Sequence, residues 1–392
     1  MEQHLPDFNN LKISFENKSD QELKKAIWLF KMMNNPSLVK YGSMLGLWAV
    51  ENSIPFTETI VKKTIFEHFC GGTTFESSIE SINKLKKYHI QTVLDYGAEG
   101  KETEADWEKT KNEFLNAIDF ASKQSSVPLI SIKVTGLSRF ELLEKVSANR
   151  VLSEKEQQEW QKVKERVDAV CKKAFDHHLG VFIDAEETWI QDAVDNLVNE
   201  MMQKYNKEKV TVYNTFQCYR KDRFDFLVAS HELAKQNNYL LGAKLVRGAY
   251  MEKERERAAS LELPSPINAD KAATDAMYNK CLKYCFDHLD TIAVCNATHN
   301  ANSSMLLANW MIEKNIPLNH PHTLFCQLYG MSDNITFNLA KSGFNASKYM
   351  VYGAVKEVIP YLIRRAQENS AVSGDMSREY KMYVDAMKLR KN

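Results

Sequence analysis

Leu240-Leu-Gly-Ala-Lys-Leu-Val-Arg-Gly-Ala-Tyr250 decides how this chain is read. Its first seven residues form a short apolar run interrupted only by Lys244, the length and composition of a strand buried on both faces. Arg247 and Gly248 follow at the C-terminal end, and then a long amphipathic stretch. The same unit recurs on both sides. Before it come Gln91-Thr-Val-Leu-Asp-Tyr96, Leu129-Ile-Ser-Ile-Lys-Val134, Gly180-Val-Phe-Ile-Asp184 and Val210-Thr-Val-Tyr-Asn-Thr-Phe216. After it come Thr291-Ile-Ala-Val-Cys-Asn-Ala297, Thr323-Leu-Phe-Cys-Gln327 and Tyr349-Met-Val-Tyr352. Strands that alternate with helical patterns call for right-handed crossovers and a parallel sheet. Eight such units predict an α/β fold, a (β/α)8 TIM-type barrel, over residues 89–392. A doubly wound sheet is the alternative that periodicity leaves open.

Residues 1–88 read as an N-terminal helical arm. Ser19-Asp20 is a good helix start, and apolar residues recur at helical spacing through Ile27, Leu29, Phe30 and Met33, then Ile60, Ile65 and Phe66. No strand signal interrupts this segment. Charged stretches at 100–125 and 144–176 lengthen the first two connections and read as solvated helices with salt-bridged faces. No internal repeat is present.

Composition narrows the function. The 392 residues carry 51 basic and 51 acidic side chains, and this neutrality argues against a nucleic-acid partner. The N-terminus has no basic region and no apolar core, so a secretory signal is not expected. The best apolar run, Met44-Leu-Gly-Leu-Trp-Ala-Val50, is far short of the ~20 residues that span a bilayer. Seven cysteines form no C-x-x-C pair, which indicates neither a zinc site nor a disulfide framework. Cys281 and Cys285 share a helical face as buried thiols. The expectation is a reduced, cytoplasmic protein. Phosphate loops, dinucleotide fingerprints, G-x-S-x-G elbows and H-E-x-x-H are absent. His320 and His322 form at most a weak pair, so no metal is expected.

In a barrel, chemistry gathers where strands end. Here those ends carry Asp95-Tyr96, Lys133, Asp184, Gln217, Lys244 with Arg247, Thr298-His299-Asn300, Gln327 and Tyr349. Each has a plain structural reading: Lys133 can snorkel, Asp184 can cap a helix, Thr298 or Asn300 can be an N-cap, and Arg247 can sit in a turn. Their convergence reads as a ligand pocket. Tyr361-Leu-Ile-Arg-Arg-Ala-Gln-Glu-Asn369 adds to it. On a helix, Tyr361, Arg364, Arg365 and Glu368 share one face, and paired guanidiniums suit a carboxylate or phosphate.

Four segments together resemble the proline dehydrogenase family: Lys244–Tyr250, Asp184-Ala-Glu186, Ala297-Thr-His-Asn-Ala301 and Tyr361–Asn369. Supporting them are Leu94-Asp-Tyr96, Ser131-Ile-Lys133, Asn214–Tyr219 and Gln327-Leu-Tyr-Gly-Met331, in order from about 90 to 370. No aldehyde dehydrogenase or DNA-binding domain is recognised, which resembles the monofunctional form. The resemblance implies an FAD-dependent barrel enzyme that oxidises L-proline to 1-pyrroline-5-carboxylate and passes electrons to a membrane quinone. It implies Arg364 and Arg365, joined by Lys133, as a clamp for the substrate carboxylate. Tyr349, Tyr361 and Leu328 would wall the ring. Asp184 and Lys244 would be catalytic, Asp184 fixing Lys133 or an arginine and Lys244 addressing the flavin. Ala185, Gln217, Lys244, Val246, Arg247, Gly248, Ala249, Tyr250, Thr298, His299, Asn300 and Glu368 would hold FAD. Contact with the membrane would be peripheral, on its inner face, and no oligomeric state is implied.

Three other readings remain at this point. A hydroxyproline or other cyclic imino acid dehydrogenase would share the scaffold. A barrel lyase would use Lys133 as a Schiff base and the arginines for phosphate. A ligand-binding barrel would keep the clamp without a flavin.

Overall fold

The computed structural model describes residues 5–52, 54–97, 100–370 and 378–391. Its strands are β1 (Cys70–Gly72), β2 (Gln91–Tyr96), β3 (Leu129–Ile132), β4 (Gly180–Ile183), β5 (Val212–Gln217), β6 (Leu241–Val246), β7 (Ile292–Ala297), β8 (Thr323–Leu328) and β9 (Ala346–Tyr352). They lie in one sheet in the order β1-β9-β2-β3-β4-β5-β6-β7-β8, and β9 also pairs with β8. From β2 onward the strands therefore follow chain order and return to their start, which is the connectivity of a (β/α)8 barrel. All eight predicted strands are present.

Several strand ends shift by one to three residues from expectation, and two of the shifts have a clear physical reason. β3 stops at Ile132, and Val134–Gly136 turn into a short 3-10 helix, so Lys133 stands just past the strand end. β9 starts at Ala346 instead of Tyr349, because the polar pair Ser347 and Lys348 is buried within it. The helical arm also needs correction. Its Cys70–Gly72 is a strand paired in parallel with β9, Cys70 beside Val351. A Cys-Gly-Gly segment has no β-branched residue and no alternation to announce it.

By its contacts the chain divides into two compact units, 98–326 and 1–97 with 327–392. In the first, strand residues such as Ile130, Phe182, Ala243 and Val294 are almost fully buried. Gly242 lets neighbouring backbone close in: a Cβ there would lie 2.3 Å from the Val212 carbonyl oxygen. The charged stretches form helices Glu104–Ala121 and Glu154–Asp176, the second begun by a Ser153–Glu156 capping box. Their facing sides are less solvated than the charge pattern suggested. Arg166 is 2 % exposed, donating to Glu104, Glu108 and the Leu137 carbonyl.

In the second unit, helix Asp20–Met33 opens with a Ser19–Glu22 capping box and packs on helix Arg378–Leu389. Phe30 stacks on Tyr383 with ring centres 5.5 Å apart, and Tyr383 also meets Phe15. Asn35 caps helix Pro36–Glu51, with proline at its first turn. Helix Val355–Ser370 continues from β9 and carries the two-arginine segment.

Candidate active site

In unit 98–326, three strands deliver charge to one place. Asp184 follows β4, and its Oδ1 accepts from Lys244 Nζ at 2.5 Å and from Ser131 Oγ at 2.9 Å. Its other oxygen lies 3.8 Å from Lys133 Nζ. Lys244 sits in β6, level with Thr215 and Cys295 on the strands to either side, and is only 5 % exposed. Its ammonium lies 5.1 Å from the centre of the Phe182 ring. Moving an ammonium from water into such surroundings costs several kcal/mol unless a counter-charge receives it. Asp184 is that counter-charge, shared by two lysines. Thr215 donates to the Ile183 carbonyl at 2.8 Å and pins the backbone beside it.

Just beyond, Glu186 is 4 % exposed and receives Thr135 Oγ1 at 2.6 Å, tying the turn after β3 to that after β4. Gln217, at the end of β5, donates its Nε2 to the Glu186 carbonyl at 2.9 Å. Its Oε1 is buried and has no hydrogen-bond partner among the described residues. Leaving such a carbonyl without a donor costs about 1–3 kcal/mol. Nothing in the packing around Gln217 offsets that, whereas a bound N–H would.

Arg247 organises the next turn. Its guanidinium donates to Asp275 at 2.7 Å, Thr298 Oγ1 at 2.6 Å and Ser303 Oγ at 3.0 Å, and lies 4.4 Å from the centre of the Tyr278 ring. Thr298 Oγ1 also accepts the Asn300 N–H, and Asn300 caps helix Ala301–Glu313 through Ser303. Half-buried His299 lies between them. Gly248 has φ 130°, and a Cβ there would fall 2.5 Å from the Tyr219 ring, so only glycine fits. Ala185 and Val246 are half-buried, Ala249 is exposed, and Tyr250 is buried where it precedes helix Met251–Ser260.

In the other unit, Tyr361 and Arg365 are 8 % and 6 % exposed. The Arg365 guanidinium lies 5.1 Å from the Tyr361 ring centre and donates Nη2 to Glu368 at 2.6 Å. Its Nε and the Tyr361 hydroxyl are buried with no partner among the described residues. Burial pushes the Tyr361 phenol upward, so it stays protonated and can donate. Arg364 is half-buried on the same helix. Tyr349 is buried in β9, level with Val93 of β2, and half-buried Leu328 ends β8.

Comparison with known proteins places the chain in a family. A family match described as proline dehydrogenase covers residues 78–378. The chain belongs to the proline dehydrogenase family. It is 34 % identical over 314 residues to the carbapenem antibiotics biosynthesis protein CarD of Pectobacterium carotovorum, spanning 80 % of this chain and 81 % of that one. It is 40 % identical over 276 residues to human mitochondrial proline dehydrogenase 1, spanning 68 % of this chain and 44 % of that one. Among solved structures it resembles proline utilization A from Bdellovibrio bacteriovorus, with TM-score 0.76 and 18 % identity, over 97 % of this chain and 44 % of that one. The chain thus spans less than half the length of the human protein and of proline utilization A. The structural likeness fixes the barrel with its N-terminal helices, and the sequence relatives make the protein an oxidoreductase of this family.

Within this family member, several positioning residues carried no role in the sequence reading. Ser131 and Glu186 were visible only as neighbours in quoted segments. Asp275 and Ser303 lie 28 and 56 residues from Arg247, and no local pattern links them to it. Among the described residues no cluster of His, Cys, Asp or Glu is placed to hold a metal ion. Among the described residues no helix is long and apolar enough to cross a membrane.

Proposed function

We propose that this proline dehydrogenase family member oxidises L-proline to 1-pyrroline-5-carboxylate with FAD, and that a membrane quinone takes the electrons. Residues 89–392 form the FAD-binding barrel in this reading, and 1–88 form the arm. The observation that carries it is Arg365: a buried guanidinium under a tyrosine ring, its Nε without an acceptor among the described residues, in the segment that marks the family. A small carboxylate with an apolar ring suits that pairing better than a phosphate ester does.

Bound FAD supplies the hydride acceptor. Gln217 fits such a group, because its buried Oε1 suits a ring N–H of the isoalloxazine. Lys244, held by Asp184, would supply positive charge to a bound flavin. Gln217, Arg247, Gly248, Thr298, His299 and Asn300 would hold the cofactor, with Ala185, Val246, Ala249, Tyr250 and Glu368 shaping its surroundings.

Arg364 and Arg365 bind the carboxylate, and Lys133 adds a third cation. Tyr349, Tyr361 and Leu328 contact the ring, so that the carbon next to nitrogen is oriented by binding energy from groups that do not react. The ring nitrogen reacts unprotonated, and the C–H bond beside it breaks as a hydride leaves. The test is proline-dependent reduction of a soluble dye by the full chain supplied with FAD, with the imine product trapped by an aromatic aldehyde-amine reagent. Dye reduction with trapped imine supports the assignment. A FAD-loaded protein that reduces no dye with proline overturns it.

A further inference from the structure

The N-terminal arm leaves large apolar side chains in water far more often than the rest of the chain. Of the nineteen exposed large apolar residues among those described, eleven lie between Trp28 and Ile60. Monomeric soluble proteins rarely leave such surface contiguous, and where they do it marks an interaction face. On helix Pro36–Glu51, Tyr41, Met44, Leu45 and Trp48 recur at three- and four-residue spacing, 57–66 % exposed. The buried side of that helix uses smaller residues, Val39 and Val50, and packs on helices Asp20–Met33 and Val355–Ser370. The usual polarity of a surface helix is inverted: the bulk faces outward. Phe56 repeats the theme. It is 79 % exposed at φ 65°, a left-handed backbone state unfavourable for an aromatic residue, with no burial to offset it.

Charge distinguishes the occupant. From Lys24 to Val50 every ionised side chain is a lysine: Lys24, Lys25, Lys31 and Lys40, all exposed. Beyond Val50, exposed Glu58 is outnumbered by exposed Lys62 and Lys63, and Lys25 is paired with Glu67 at 2.5 Å, so Lys24, Lys31, Lys40, Lys62 and Lys63 set the sign of this stretch. A second copy meeting this face across a two-fold axis would set lysines against lysines. An anionic bilayer takes both features, the apolar and aromatic side chains at the acyl boundary and the ammoniums at the headgroups. The 16-residue helix is about 24 Å long, which suits lying in the interface and not crossing it.

We propose that the arm docks on an anionic lipid bilayer through the face centred on Leu45 and Trp48. This deepens the functional reading and rests on it in one respect: the same helix packs on Val355–Ser370, so docking brings the Tyr361–Arg365 helix to the membrane that would hold a quinone.

The test mixes the full chain with vesicles of phosphatidylcholine alone, or of phosphatidylcholine with phosphatidylglycerol, and measures co-sedimentation. The wild-type chain should bind the anionic vesicles, less so as salt rises. The double variant Leu45→Glu, Trp48→Glu should bind about tenfold or more weakly, with unchanged dye reduction by proline. Leu45→Ser, Trp48→Ser provides a gentler variant if the first misfolds. A wild-type chain that ignores both vesicles, or double variants that bind as well as wild type, overturns the proposal. So does a wild-type dimer that leaves vesicles alone and dissociates on substitution. A chain that binds anionic vesicles but oxidises no proline supports the docking face and refutes the reaction instead.

Discussion

Lys244 and Asp184 stand 60 residues apart in the chain and are bonded at 2.5 Å, with Lys133 at 3.8 Å from the other carboxylate oxygen. One short side chain thus sets the positions of two long ones. Lysine carries much rotamer freedom, and an ammonium fixed before the ligand arrives costs less to use afterwards.

Asp184→Asn should therefore do more than remove a charge. With Lys244 5 % exposed, loss of its carboxylate leaves a buried ammonium facing an amide. For proline, kcat/KM should fall on the order of 100-fold or more, and the melting temperature should drop. Steady-state kinetics with a thermal melt separates the outcomes. Near-normal kinetics in a destabilised protein would reduce the trio to a structural role.

Arg364→Met and Arg365→Met should each raise KM for proline by about 100-fold, the loss of one charge-assisted carboxylate bond, while flavin content is unchanged. Glu368→Gln, which removes the partner of Arg365, should have a smaller effect of the same kind. Flavin-to-protein ratio and KM measured together check this. A loss of flavin without a change in KM would move these residues to the cofactor.

Arg247→Lys should loosen the turn after β7, because one ammonium cannot reproduce three directed bonds to Asp275, Thr298 and Ser303. The expected result is faster FAD loss through gel filtration with KM for proline little altered. Retained flavin would show that the bracket is unnecessary for the cofactor.

Stability should fall with acid in two stages. Burial, then the positive charge of Lys18, lowers His68 from 6.5 to about 4. Burial pushes Asp333 upward, but Lys348 and Lys18 outweigh it and bring it from 3.8 to about 2. Both groups bind protons more weakly in the native state, so each contributes stability that is complete above its ordinary value and is lost as pH falls toward the shifted one. Melting temperature should decline as pH falls from 6.5 to 4 through His68, and again from 3.8 to 2 through Asp333. His68→Gln should flatten the first decline and leave the second.

The barrel was legible because a parallel strand buried on both faces reads as an apolar run, and eight of them are evenly interleaved with amphipathic helices. Lys348 shows the limit. Buried beside Asp333, a lysine looks in sequence like the end of a strand, and β9 was read three residues short. The site residues were legible where several lie on one local segment, as in Lys244–Tyr250 and Tyr361–Asn369. Their partners were not. Glu186 acts through Thr135, and Asp275 through Arg247, across separations that only the closed sheet brings together.

The most direct measurement is the visible spectrum of the FAD-loaded chain before and after L-proline is added without oxygen. Flavin bands should bleach with proline, and far more slowly with trans-4-hydroxyproline, whose hydroxyl the Tyr349 ring would crowd. Flavin bands indifferent to proline would contradict the proposed reaction while leaving the fold and family intact.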